Sequence, residues 1–126
     1  MTTDELSTLY PDGVFPAACA SRTLLDHVVS KWGVLVLVSL AERPHRWSEL
    51  RRRAQGISEK MLAQTLKTLE ADGLVHREQQ PVMPPRVDYR LTEAGEELAA
   101  LLRPLLAWVA VRAGDMPDPE AAVPQP

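Results

Sequence analysis

A mainly α (α+β) domain is what this 126-residue sequence predicts, on three observations. Apolar residues recur at helical spacing through most of the interior. The period drops to two only between Leu74 and Leu91, where β-branched and aromatic residues alternate with charged ones. Serine, threonine, glycine and proline fall where helix caps and breaks belong.

In chain order, residues 1–18 hold Pro11, Gly13 and Pro16 without sustained periodicity and are expected to be a partly disordered arm. Ser21 is the expected cap of a first helix through "RTLLDHVVSKW". Leu24, Leu25, Val28 and Val29 make its apolar stripe, Trp32 closes it and Gly33 forms a turn. "VLVLVSLAE" is apolar nearly all round, a buried helix or a buried strand; Ser39, Ala41 and the following "ERP" favour the helix. Pro44 ends it, and "HRW" is short enough for a minimal edge strand.

Ser48 is placed to cap "ELRRRAQ", which Gly56 breaks. Ser58 then caps "EKMLAQTLKTLEAD", with Ile57 packing back on Leu62, and Gly73 stops it in the left-handed conformation. "LVHREQ" and "RVDYRL" read as a hairpin, Val87, Tyr89 and Leu91 sharing one face. The three prolines of "QPVMPP" make its tip a stiff loop that cannot continue the ladder. Thr92 caps a last helix whose apolar residues are Leu98, Leu101, Leu102, Leu105, Trp108 and Val109, and Pro104 is expected to kink or restart it. Residues 114–126 are polar and proline-rich, a disordered tail by composition.

The length bounds the chain to one domain, and 45% hydrophobic with 25% charged residues suits a globular core that needs no staples. Cys19 is the single cysteine, which excludes an intrachain disulfide and favours a reducing, cytoplasmic setting. No apolar run approaches the ~20 residues of a membrane span. The net charge of −3 hides a segregation: ten Lys/Arg against six Asp/Glu between Arg43 and Arg90, four against eleven elsewhere. A basic middle with acidic ends suits a small reader of nucleic acid.

No GxGxxG, Walker loop, GxSxG, HExxH or CxxC is present, so enzyme chemistry has no foothold. His27, His45 and His76 are dispersed and suit packing or surface roles. Neither metal nor cofactor is expected.

Two short helices joined by a turn, the second amphipathic, followed at once by a hairpin, is the order of a winged helix-turn-helix. Leu62, Leu66 and Leu69 put one side of the second helix in the core. Ser58, Lys60, Met61, Gln64, Thr65, Lys67 and Thr68 are the candidate DNA-binding residues of that recognition helix. Glutamine suits adenine edges, lysine suits guanine or phosphate, and threonine and methionine suit the thymine methyl. Arg46, Arg77, Arg86 and Arg90 are candidate backbone contacts from the wing and its flank. The alternative for the wing arginines is pairing with Glu78 and Asp88.

The winged helix-turn-helix domain is expected over residues 19–113, and the chain resembles the HxlR-type winged-helix regulators over roughly residues 19–110. The likeness rests on Cys19, "KW" at Lys31 and Trp32, "RWSEL", "GISEKML", "LEADGLV", "PPRVDYRLTEAG" and Trp108. It departs from the commonest pattern at Trp47, in "VSKW" and in "ACASR". The resemblance implies extra N- and C-terminal dimerisation helices, with Leu24, Val28, Leu101, Leu105 and Trp108 at the interface. It also implies a homodimer on palindromic double-stranded DNA. Some members sense oxidants or electrophiles through a cysteine placed as Cys19 is, beside a helix start with Arg22 within a turn. An inert core thiol is the alternative, and a small ligand near Trp32 is the other candidate signal. A winged helix used only for protein contact is the rival function.

Overall fold

The computed structural model describes residues 3–11, 15–17 and 19–116. Its elements are α1 (Thr3–Leu9), α2 (Ala20–Val28), α3 (Lys31–Glu42), β1 (His45–Arg46), α4 (Trp47–Arg53) and α5 (Glu59–Ala71). The hairpin strands β2 (Val75–Gln80) and β3 (Arg86–Leu91) and the long α6 (Glu93–Gly114) follow. The fold is a winged helix-turn-helix: mainly helical, with a three-stranded antiparallel sheet in the order β1-β3-β2. Among the described residues, no single helix is long and apolar enough to cross a membrane.

The expected first helix is two. Ser30 caps α3 by accepting the Gly33 N–H at 3.1 Å while donating to the His27 carbonyl at 3.0 Å. The α2 and α3 axes meet at 69°. Trp32 and Gly33 therefore belong to the first turn of α3, and Gly33 is no turn. A Cβ there would stand 2.6 Å from the His27 carbonyl oxygen, so the glycine lets α2 and α3 meet. The cap of α2 is Cys19, not Ser21, whose hydroxyl instead meets the Tyr10 hydroxyl at 2.6 Å. That contact joins α2 to the residue just after α1, a helix that composition did not announce within the expected arm. The tail expectation for residues 117–126, and that part of the arm at residues 1–2, 12–14 and 18, lie outside the described residues.

α3 is the buried centre, with Val36 and Leu37 fully enclosed and Val34, Ser39 and Leu40 nearly so. Leu50 of α4, Leu62, Leu66 and Leu69 of α5, Val75 and Leu91 of the hairpin and Ala99 and Leu102 of α6 close around it. Gly73, at φ +77°, ends α5 with paired bonds: its N–H to the Glu70 carbonyl at 3.0 Å and the Leu74 N–H to the Leu69 carbonyl at 2.9 Å. The Leu74 carbonyl then accepts the Thr92 N–H at 3.0 Å. The Thr92 hydroxyl donates to the Gly73 carbonyl at 2.6 Å and accepts the Gly95 N–H at 3.1 Å. α6 runs unbroken through Pro104 for 22 residues, so the expected restart does not occur.

A Cβ on Gly95 would lie 2.1 Å from the Leu74 carbonyl oxygen, which is backbone and has no room to give. Gly95→Ala should therefore destabilise the fold by about 2 kcal/mol or more. An unchanged urea midpoint would show that this junction is not tight.

Candidate nucleic-acid interface

α4, the turn and α5 form the helix-turn-helix. α4 begins two residues earlier than expected, with Arg46 rather than Ser48 at its N-cap. Glu49 reaches back to accept the Arg46 N–H at 3.1 Å and the Arg43 guanidinium at 2.8 Å. The Arg46 N–H, and after it Arg43, hold the Glu49 carboxyl below its ordinary value. Gly56, at φ +91°, makes the turn. Ser58 then caps α5, accepting the Met61 N–H at 3.0 Å.

The two sides of α5 differ as a groove reader's must. Leu62, Leu66 and Leu69 are enclosed, whereas Lys60, Ala63, Gln64 and Lys67 form one exposed row at spacings of three, four and seven. Among the described residues neither lysine has an ion-pair partner. Ser58 and Met61 are exposed and Thr68 is half-buried. Thr65 is a correction: it is only 9% exposed, because it lies three residues after Leu62 and four before Leu69, on the packing side. Ala63 is the residue that sequence reasoning passed over. Its place in the Lys60–Gln64–Lys67 row was legible from spacing alone.

Of the three consecutive arginines on α4, Arg51 pairs with Glu59 at 3.1 Å and Arg53 with Glu42, which leaves Arg52 exposed without an ion pair among the described residues. The wing hairpin pairs Gln80 with Arg86 and Val75 with Leu91 at its two ends, and residues 81–85 form its tip. Arg77 is exposed without an ion pair among the described residues. Arg86 and Arg90 instead meet Asp88 and Glu78, each at 3.4 Å, so the hairpin partly engages them. Arg46 stands exposed beside the wing.

Residues 27–115, which hold all of this apart from Cys19 and most of α2, match the model of the HxlR-like helix-turn-helix family. The chain belongs to the HxlR-like family. It is 50% identical over 96 residues to the HTH-type transcriptional regulator YtfH of Escherichia coli, covering 76% of each chain. A solved structure of the transcriptional regulator ytfH of Salmonella typhimurium superposes with a TM-score of 0.75 at 46% identity, covering 81% of this chain and 91% of that one. Diamide-treated YodB of Bacillus subtilis superposes with a TM-score of 0.64 at 32% identity, covering 75% and 95%. This HxlR-type chain is thus a DNA-binding transcriptional regulator, and such regulators are not enzymes.

Outside the helix-turn-helix, this HxlR-type chain carries a second uncovered surface. Leu101, Leu105 and Trp108 of α6 are 73%, 51% and 61% exposed and lie on one stripe, and Leu24 of α2 is exposed too. The apolar residues of α6 therefore split: Leu98, Ala99, Leu102 and Leu106 face the core, and Leu101, Leu105, Trp108 and Val109 face outward. Val28 is a second correction, since it is packed into the core of the protomer. Cys19 is half-buried at the start of α2, and Arg22 donates to the Phe15 carbonyl at 3.3 Å. His27 bonds Asp72 at 2.8 Å, and His45 is buried with its Nδ1 donating to the Arg43 carbonyl at 2.7 Å.

A side chain reading a base edge and one holding phosphate fail differently. Gln64→Ala should relax preference at one base position by about 1–3 kcal/mol, whereas Lys67→Ala should weaken all sequences alike and flatten the salt dependence. Fluorescence-anisotropy titrations over a set of operator variants separate the two. Identical profiles for both variants would count against this placement of α5.

Proposed function

We propose that two copies of this regulator bind a palindromic operator in the cytoplasm, each laying α5 in a major groove and its wing along the flanking backbone. The observation that carries this reading is the exposed Lys60–Ala63–Gln64–Lys67 row, opposite a leucine side enclosed by the core. Carboxylates on that row would be repelled by phosphate; Glu59 is instead paired to Arg51, and Asp72 to His27. The working unit is residues 19–113. Its α2 and α6 surfaces join the two copies through Leu24, Leu101, Leu105 and Trp108, since an apolar stripe of this kind favours a two-fold partner. The partner fixes the spacing of the two α5 helices near one DNA turn, about 34 Å.

Cys19 serves as a thiol switch in this reading. Its support is the half-buried position at the start of α2, within the proposed dimer surface, and the likeness to YodB, whose structure was solved after diamide treatment. An adduct or disulfide there would shift α2 and with it the spacing of the half-sites.

Affinity for the operator should fall by orders of magnitude between roughly 50 and 200 mM salt, as release of counterions from phosphate requires. A flat response would favour a winged helix used for protein contact. Leu105→Asp with Trp108→Asp should give monomers by sedimentation and lose about 100-fold in operator affinity, the share that linkage of two half-sites supplies. Dimers that persist would sink the α6 interface. Cys19→Ser should stay on operator DNA through diamide treatment that releases the parent protein, and a variant that releases equally removes the thiol from the mechanism.

A further inference from the structure

A cleft of 470 Å³ opens between the start of α4 and the tip of the wing, with no α5 residue in its lining. Small organic ligands occupy clefts of roughly 300–1,000 Å³. Trp47, Met83, Pro84 and Val87 supply its apolar lining, and Arg46 and Arg86 its charge. Met83 is 92% exposed, an apolar side chain that the protomer leaves uncovered.

The acids near these arginines are already engaged. Glu49 is held by Arg43 at 2.8 Å. Asp88 accepts from Gln80 at 3.1 Å and meets Arg86 only at 3.4 Å. The Arg86 side chain is 40% exposed, and its one ion pair among the described residues is the long one to Asp88, so its terminal nitrogens have donor capacity that the protein itself does not use.

We propose that this cleft is an effector site for a flat aromatic carboxylate, its ring packed on Trp47 and Met83 and its carboxylate held by Arg86 with Arg46 beside it. The planar guanidinium fork matches a carboxylate with two parallel hydrogen bonds, and the indole and thioether favour an aromatic ring over an aliphatic one. A neutral ring forfeits the first interaction and a small anion the second. The regulatory consequence rests on the groove reading: an occupied cleft withdraws Arg46 and Arg86 from phosphate and lowers operator affinity.

The test begins without DNA, by titrating 2-naphthoate into the ¹⁵N-labelled full chain. The Trp47 indole N–H and the amides of Val82, Met83 and Val87 should shift together. Arg86→Gln should weaken the apparent affinity about tenfold, the share of a charge-assisted pair. Met83→Ser, at a side chain too exposed to hold the fold together, should weaken it as well. Binding of 2-naphthamide as tight as that of 2-naphthoate, or an unaffected Arg86→Gln, overturns the proposal. Equal shifts with dimethyl phosphate overturn it too, and assign the cleft to the DNA backbone. 2-Naphthoate added to the protein–operator complex should then release DNA. A complex that never forms would fail the groove reading alone, since the DNA-free titration stands by itself.

Discussion

The carbonyl group of Leu74 is the point on which the molecule turns. It leaves the end of α5, opens the first wing strand and receives the Thr92 N–H that starts α6, with Gly95 pressed against it. Recognition helix, wing and final helix therefore converge within a few residues, locked by short backbone bonds on one side and by missing side-chain volume on the other. Close-packed interiors do not deform gradually. The orientation of α5 relative to the outward stripe of α6 is thus a property of the folded protomer. Any partner seated on α6 inherits it.

Charge follows the same division. The protein as a whole is acidic, yet the acids near the helix-turn-helix are mostly occupied: Glu42 by Arg53, Glu49 by Arg43, Glu59 by Arg51, Asp72 by His27. Lys60, Lys67 and Arg77 have no ion pair among the described residues. Exposed pairs of this kind add little stability. Their effect is on the surface field, since each neutralises an acid that would oppose a polyanion.

α2 connects the two ends of the molecule. Cys19 stands at its start, and His27 near its end bonds Asp72, which closes the recognition helix. The helix itself is only nine residues, about 14 Å. The proposed switch and the C-terminus of α5 are therefore joined by one rigid element.

Much of this was legible in the order of residues. Ser58, Gly73 and Thr92 announced their caps and stops, because those roles depend on the local backbone and on hydrogen bonds a few residues away. The alternation of "RVDYRL" announced a strand, and leucines at helical spacing announced the inner side of α5. The row facing water was legible except at its edges: Thr65 is polar, as an outward residue would be, though its spacing from Leu62 and Leu69 places it inward. Val28 looked like a free apolar stripe residue, yet the 69° corner made by Ser30 folds it into the core. Periodicity says which residues share a side of a helix. It does not say what the side meets, because that depends on elements distant in sequence. The division of α6 into Leu98 and Leu102 inward and Leu101, Leu105 and Trp108 outward, the partial engagement of Arg86 and Arg90, and the cleft between α4 and the wing tip all come from such meetings, and only the tertiary structure decided them.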